Sequence, residues 1–360
     1  LGYKGIAAAT SGNYGAAVAS QAAMRGLKSI IVQECYDSRK VGQPEILEKQ
    51  RKCECLGSEV IQLSVGPELF YTFLRVLEET GYFNASLYST FGIAGVETLG
   101  YEVAQQCSEL LGRAPDYVVA TQAGVGNLTG TARGLIKAGA VNTKVYGASV
   151  DLSGLHMASD RDFNRKSFTT GHTGFGVPYA TDPDHSDVPR SAARTLRYMD
   201  EYLLVKQGEV FYMTETLAQL EGMERGPAGN TSLAAAFALA QTLPADNVIV
   251  VQETEYTGAG KHPLPQLAFE RQNGIEVRFG DPETEIPGTS IILPEHPSLI
   301  RARYVDMNKL RKSYIRNAVR HTEATKANEQ DIVFLTEDTK ASKTFVVDTL
   351  RELGVEVLSS

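Results

Sequence analysis

Cysteine is scarce in this sequence, and the few cysteines are not spaced as ligands or as disulfide partners. The chain has 360 residues, and its four cysteines are Cys35, Cys53, Cys55 and Cys107, with no C-x-x-C pair among them. Zinc sites and disulfide frameworks depend on recurring cysteine spacings, so neither is indicated and no metal is expected. Isolated thiols of this kind favour a reduced, cytoplasmic protein.

The sequence also lacks a long apolar run and a long basic run. No stretch of about 18 uninterrupted apolar residues occurs, which argues against a membrane-spanning helix. The formal net charge is −8 at pH 7, which argues against a nucleic-acid-binding protein. With 42% hydrophobic and 22% charged residues, the composition is that of an ordinary globular protein rather than a disordered chain.

The first residues carry no start signal. Residue 1 is leucine, no signal peptide follows, and residues 1–5 resemble the end of a helix that leads directly into a strand. We therefore expect the chain to begin inside a domain, as an N-terminally truncated fragment.

Short apolar runs alternate with helical patterns along most of the chain. Strands are predicted at residues 5–9, 29–33, 59–63, 117–120, 144–149, 202–205 and 247–252, with helices between them. This alternation predicts an α/β fold with two doubly wound, mostly parallel sheets. We divide the chain into a small α/β domain (1–94), a larger phosphate-binding domain (95–290) and an appended segment (291–360). In that segment helices are predicted near 307–320 and 341–353, and strands at 331–335 and 355–358.

The stretch with the clearest chemistry is residues 121–131, TQAGVGNLTGT, which follows an apolar strand. Gly124, Gly126 and Gly130 allow tight turns and a close approach of the backbone to a ligand. A helix that opens at Thr131 would point its N–H groups at the same place, which predicts a phosphate site. A purely structural strand-to-helix turn also fits. The spacing matches neither G-x-G-x-x-G nor G-x-x-x-x-G-K-[ST], so we expect a small phosphorylated cofactor.

Other loops are predicted at the carboxyl ends of strands, where open α/β sheets bind their ligands. Residues 10–15, TSGNYG, suit a carboxylate, although they also suit a simple helix cap. Residues 226–229 form a Gly-Pro-Ala-Gly turn, and residues 254–257 form a hydroxyl-rich turn. The polar insert from 151 to about 190 is too long for a plain connector, so it is either a functional loop or a surface excursion.

Together these motifs resemble those of the fold-type II pyridoxal-5′-phosphate enzymes, the group of cysteine synthase, threonine synthase and serine/threonine dehydratase. The matching segments are the asparagine loop at 10–15, the glycine loop at 124–130, the helix motif Gly95-x-x-Thr98-x-x-x-Glu102, and E-x-x-P-x-G at 224–229. The resemblance implies that the cofactor is pyridoxal 5′-phosphate.

The resemblance also implies a role for individual residues. Asn13 would bind the ring hydroxyl of the cofactor, and Thr257, rather than Thr254, would meet its ring nitrogen. The phosphate would be bound by the backbone of Gly124, Val125, Gly126, Asn127 and Leu128, and the substrate carboxylate by Thr10, Ser11 and Gly12.

One part of the family's site has no match here. In the family, the Schiff-base lysine lies in a Ser-x-Lys segment upstream of the asparagine loop. Lys4 directly precedes a strand, and Lys261 precedes a His-Pro pair on the opposite side of the cofactor ring, so neither fits. We expect the lysine to lie outside this chain.

Four longer runs, 11–20, 66–71, 167–174 and 252–261, resemble the larger subunit of a coenzyme A-dependent thiolase of this family, and the resemblance extends to about residue 312. It implies cleavage of an amino-keto acid with coenzyme A to acetyl-CoA and alanine in ornithine degradation. It also implies a small α subunit as partner, in a dimer of heterodimers. His172 is a candidate donor to the ketone oxygen, and Arg161, Arg165 and Lys166 are candidate contacts for coenzyme A. A structural loop histidine and a solvated basic face are the alternatives.

Two other functions stay open, and a third is disfavoured by the sequence. A threonine synthase-like or β-replacement lyase would share the fold, and the Thr257-Gly-x-Gly turn favours the former. A nicotinamide dehydrogenase needs G-x-G-x-x-G followed about 20 residues later by an acidic residue, and that glycine pattern is absent. A non-catalytic cofactor-binding subunit would account for a missing lysine.

Overall fold

Two separate sheets organise the chain. The computed structural model describes residues 2–10, 12–36, 42, 44–64, 68–86, 89–122, 126–151, 194–253 and 263–358. A four-stranded sheet comes first in the sequence, and a five-stranded sheet follows. Both are mostly or wholly parallel, so the predicted fold class of two mostly parallel sheets is confirmed.

The four-stranded sheet is entirely parallel and is covered on both faces. Its strands are β1 (Gly5–Thr10), β2 (Lys28–Tyr36), β3 (Glu59–Ser64) and β4 (Phe83–Asn84), in the order β3-β2-β1-β4. Its helices are α1 (Asn13–Met24), α2 (Pro44–Cys55) and α3 (Glu68–Thr80). Successive side chains of a strand point to opposite faces, so Ala7 shares a cluster with Phe73, and Ala8 shares one with Ala19. Burial on both faces explains why β1 and the middle of β2, residues 30–32, are apolar.

The five-stranded sheet has the order β11-β7-β6-β5-β8. Its parallel strands are β5 (Tyr117–Thr121), β6 (Lys144–Val150), β7 (Glu201–Val205) and β8 (Ile249–Gln252), and β11 (Arg303–Tyr304) joins antiparallel to β7. The helices associated with it are α4 (Thr90–Leu111), α5 (Gly126–Lys137), α6 (Gln207–Glu221) and α7 (Thr231–Ala240). Val118 shares a buried cluster with Leu135 of α5, and Val119 shares one with Ala235 of α7. The carboxyl ends of β5 to β8 therefore meet at one edge of the sheet.

Helices α4 and α5 cross at very short range because glycines form the contact. A Cβ atom on Gly100 would lie 1.9 Å from the carbonyl oxygen of Thr131, and one on Gly134 would lie 2.0 Å from that of Glu97. Gly130 is part of the same contact, since its Cβ would lie 2.8 Å from the carbonyl oxygen of Ile93. These glycines fix how α5, and with it the loop before α5, is placed against the sheet.

The C-terminal part of the chain forms two smaller units. A parallel pair, β9 (Glu276–Gly280) and β10 (Ser290–Pro294), packs with α8 (Pro263–Gln272). The last unit contains α9 (Met307–Thr322), β12 (Lys326–Ala327), α10 (Glu329–Thr339), α11 (Lys343–Glu352) and β13 (Glu356–Val357). Its own core includes Ile315, Ile332 and Val346. Ion pairs join it to the segment that leads into β7, between Arg197 and Glu337 (2.7 Å) and between Lys340 and Asp200 (2.6 Å).

Some predicted elements are corrected by the structure. The strand predicted at 331–335 is helical, because Asn328 caps α10 by accepting hydrogen bonds from the N–H groups of Gln330 (2.8 Å) and Asp331 (3.1 Å). Before β7, where the alternation of strands and helices predicts a helix near 193–199, the described residues form only a short 3₁₀ turn, Thr195–Arg197. Helix α5 begins at Gly126 instead of Thr131, and β9 and β10 were not predicted. None of the described helices is long and apolar enough to cross a membrane.

Candidate functional site

A buried hydrogen-bond chain supports the backbone where β5 ends and the glycine loop begins. The hydroxyl of Tyr202 donates to Oγ of Ser149 (2.9 Å), and Oγ of Ser149 donates to the carbonyl oxygen of Gln122 (2.6 Å). The N–H of Gln122 donates to the carbonyl oxygen of Ala148 (2.7 Å). Both hydroxyl residues are fully buried. Three adjacent strands therefore hold the backbone of Gln122 in place on both sides of its Cα, directly before the predicted phosphate loop.

The end of β5, the residue after it and α5 also contain buried polar atoms that no described group satisfies. Oγ1 of Thr121, Oε1 of Gln122 and Oγ1 of Thr129 are all buried and have no hydrogen-bond partner among the described residues. Unsatisfied buried polar atoms are costly, so these three atoms are candidates for contact with a polar ligand. The N-terminus of α5 lies beside them, and the first N–H groups of a helix attract anions.

The predicted phosphate residues fall into two groups. Gly126, Asn127 and Leu128 form the first turn of α5, and the side chain of Leu128 is buried in the core, so only its backbone is available to a ligand. Gly124 and Val125 lie outside the described residues. The assignment of Gly130 to the loop is corrected, because this glycine belongs to the crossing of α5 with α4.

The asparagine loop between β1 and α1 is shaped by the hydroxyl of Thr10. Its Oγ1 accepts hydrogen bonds from the N–H groups of Gly12 (2.9 Å) and Gly15 (3.2 Å). Asn13 is half-buried at the first position of α1 and takes part in further interactions, while Ser11 lies outside the described residues. Tyr14 donates to the carbonyl oxygen of Ala85 (2.7 Å), and burial raises the pKa of its hydroxyl, which keeps it a neutral donor.

The turn after Gly226 is tied to the end of β8. When the amide of Asn230 is assigned from its hydrogen bonds, its nitrogen donates to Glu253 (2.7 and 3.1 Å) and its oxygen accepts from Oγ1 of Thr214 (3.1 Å). Oγ of Ser232 donates to the carbonyl oxygen of Gln252 (3.0 Å). The motif at 224–229 thus leads into a buried asparagine that positions the residue directly before the hydroxyl-rich turn.

An ion pair between a buried lysine and a half-buried aspartate lies at the same edge of the five-stranded sheet. Asp151 directly follows β6 and Lys206 directly follows β7, and Nζ of Lys206 lies 2.6 Å from Oδ2 of Asp151. Sequence reasoning missed this pair, as it missed Ser149, Tyr202 and Asn230. The signal available for all of them was position, because each lies in or directly after a strand, or after the Gly-Pro-Ala-Gly turn.

The remaining predicted residues fall into two groups. Gly95, Thr98 and Glu102 are exposed on α4, where Oγ1 of Thr98 donates to the carbonyl oxygen of Gly95 (2.9 Å). His172 and Thr257, and the basic residues Arg161, Arg165 and Lys166, lie outside the described residues. Within the described part of the chain, no group of three or more His, Cys, Asp or Glu residues could hold a metal ion.

Comparisons with known proteins agree with this architecture. The family model described as pyridoxal-phosphate dependent enzyme matches residues 1–254. The 2-amino-4-ketopentanoate thiolase beta subunit of Acetoanaerobium sticklandii is 69% identical over 353 residues, which cover 98% of this chain and 75% of that protein. A protein of the same name from an unknown prokaryotic organism is 65% identical over 357 residues, covering 99% and 76%. The structure of maize serine racemase, at 20% identity, has a TM-score of 0.52 and covers 75% of this chain and 78% of that chain.

Proposed function

The chain belongs to the family of pyridoxal-phosphate dependent enzymes, and we propose that it catalyses, as the larger subunit, the thiolysis of 2-amino-4-oxopentanoate by coenzyme A. The products are acetyl-CoA and alanine, as required in ornithine degradation. One observation carries the proposal: two relatives named as the beta subunit of this thiolase share 69% and 65% identity with the chain over 98% and 99% of its length.

The described residues fit pyridoxal 5′-phosphate. Its phosphate would lie at the N-terminus of α5, where the N–H groups of Gly126, Asn127 and Leu128 begin the helix. The buried hydroxyls of Thr121 and Thr129 have no other partner among the described residues and are suitable donors there. When bound, the cofactor withdraws electrons from the carbon that carries the amino group.

The other contacts in this proposal follow the family's pattern. Gly124 and Val125 complete the phosphate loop, Asn13 binds the ring hydroxyl, and Thr257 meets the ring nitrogen. The loop of Thr10, Ser11 and Gly12 takes the carboxylate of the substrate, and the lysine that carries the cofactor is not one of residues 1–360. The hydrogen bonds of Thr10 to Gly12 and Gly15 support this proposal, since they hold the loop in one conformation before a ligand binds.

The reaction balances without an oxidant or a metal. The thiolate sulfur of coenzyme A bonds to C4 of the keto acid, and the C3–C4 bond then breaks. Its electron pair goes to C3, which takes up a proton, so C4 and C5 leave as the acetyl thioester and C1 to C3 leave as alanine. His172 is proposed as the donor to the C4 oxygen, and Arg161, Arg165 and Lys166 as contacts for the phosphates of coenzyme A.

The names of the relatives support a partner subunit. Because a beta subunit implies another subunit, we propose that this chain also works in a complex, with a small α subunit in a dimer of heterodimers.

The proposal is tested by comparing the turnover of different substrates. The full-length protein, purified with its partner subunit and cofactor, is supplied with coenzyme A and 2-amino-4-oxopentanoate, and acetyl-CoA is measured. Parallel reactions contain phosphohomoserine, or O-acetylserine with sulfide. Acetyl-CoA formation without turnover of the other two substrates supports the thiolase. Turnover of either of the other substrates, with no acetyl-CoA, would instead establish the threonine synthase-like or β-replacement lyase.

A further inference from the structure

Lys49 is a buried lysine next to the asparagine loop, and none of the motifs described above includes it. It lies on α2, and only 6% of the residue is exposed. A Cβ atom built on Gly12 would lie 3.1 Å from Cδ of Lys49 and 3.3 Å from its Nζ. The side chain therefore runs alongside the turn at Gly12, with its ammonium group at the backbone of the loop.

Such a placement is unusual for lysine. A buried ammonium group is costly unless anions or strong acceptors lie close to it, so lysine is rarely found fully buried. Lys52, one turn further along α2, is exposed as expected for this residue type. Helix α2 thus directs one of its lysines to solvent and another to the loop.

A cation beside this loop would add a charged donor for a bound carboxylate. The N–H of Gly12 donates to Oγ1 of Thr10 (2.9 Å), so this N–H is already engaged within the loop. A carboxylate has two oxygens that require several donors, and a charged donor binds it more strongly than a neutral N–H group. The absence of a side chain at Gly12 allows the ammonium group to approach the turn closely.

We propose that Lys49 is a substrate-binding residue, whose ammonium group binds the carboxylate of an α-amino acid beside Gly12, at the start of α1. This inference rests on the proposed function, in which the asparagine loop takes the substrate carboxylate. Lys49 selects amino acids over the corresponding amines, because only the amino acid presents an anion to it. The other role open to Lys49 is structural: it would balance the buried carboxylate of Glu34, at the end of the adjacent strand β2.

The two roles are separated by comparing alanine with ethylamine, which is alanine without its carboxylate. Binding of each is measured by isothermal titration calorimetry on the full-length, cofactor-loaded protein. The variants are Lys49→Met, Lys49→Arg and the exposed control Lys52→Met. Lys49→Gln, which keeps a polar end, replaces Lys49→Met if that variant does not fold.

We expect Lys49→Met or Lys49→Gln to raise the Kd of alanine about tenfold or more, as the loss of one charged hydrogen bond does. The Kd of ethylamine should stay the same, Lys49→Arg should keep most of the affinity for alanine, and Lys52→Met should change neither ligand. An equal change for both ligands, or no change for either, would overturn the assignment and leave Lys49 with a structural role. Failure of the unsubstituted protein to bind alanine would instead overturn the proposed function, and with it this role of Lys49.

Discussion

Glu270 makes the stability of this protein depend on pH in a way that can be measured. It lies on α8 near Leu267 and Ile275, which belong to an apolar cluster, and only 1% of it is exposed. Its Oε1 has no hydrogen-bond partner among the described residues. Burial raises the pKa of this carboxyl from 4.5 to about 9, so the group is protonated in the folded protein at neutral pH.

The sign of the effect follows from that pKa. In the unfolded chain the carboxyl loses its proton above about pH 4.5, whereas in the folded protein it keeps the proton up to about pH 9. Its contribution to stability is therefore fully present below pH 4.5 and is lost as the pH rises through this window. Each pH unit costs about 1.4 kcal/mol, so the step from pH 5 to pH 8 costs on the order of 4 kcal/mol.

The substitution Glu270→Gln tests this reasoning, because glutamine has a similar shape and is neutral at every pH. Urea unfolding of the full-length protein is measured from pH 5 to pH 8, with Glu276→Gln as an exposed control. We expect the free energy of unfolding of Glu270→Gln, minus that of the unsubstituted protein, to rise by about 1.4 kcal/mol per pH unit. Any constant effect of the amide cancels in that slope. A difference that does not change with pH would refute the reasoning.

Two further predictions concern the support of the phosphate site. Tyr202→Phe removes the hydrogen bond to Ser149 and should weaken cofactor binding several-fold, on the order of 1 kcal/mol, as measured by titrating the apoprotein with pyridoxal 5′-phosphate; unchanged affinity would contradict this. Gly134→Ala places a Cβ 2.0 Å from the carbonyl oxygen of Glu97 and should cost about 2 kcal/mol or more of stability. The control Gly95→Ala, on the neighbouring helix where a Cβ meets nothing within 4 Å, should be neutral or stabilising. Thermal unfolding of both variants and of the unsubstituted protein measures these differences.

The parts of the fold that could be predicted from the sequence are those with strong local patterns. β1, β5 and the middle of β2 are short apolar runs, and parallel strands buried on both faces typically contain such runs. The asparagine loop and the glycine loop were recognisable because glycine and small polar residues follow an apolar strand directly, which is typical of a turn from a strand into a helix. The domain boundaries at 94/95 and 290/291 stay a prediction.

The errors also have physical causes. A glycine serves a ligand loop and a close helix crossing equally well, so Gly130 was assigned to the loop although it packs on α4. The apolar residues of 331–335 suit a strand or a helix, and the cap at Asn328 decides for the helix. Ser149, Tyr202 and Asn230 act through contacts between residues 16 to 53 positions apart, which no local pattern reveals.

The proposed thiolysis is tested most directly by following the carbon that accepts the thiol. The full-length protein, with its partner subunit and cofactor, is given coenzyme A and 2-amino-4-oxopentanoate labelled with carbon-13 at C4. We predict that the label appears only in the thioester carbonyl of acetyl-CoA, with one unlabelled alanine formed per acetyl-CoA. Retention of the label in a five-carbon product, or release of ammonia without consumption of coenzyme A, would contradict cleavage between C3 and C4.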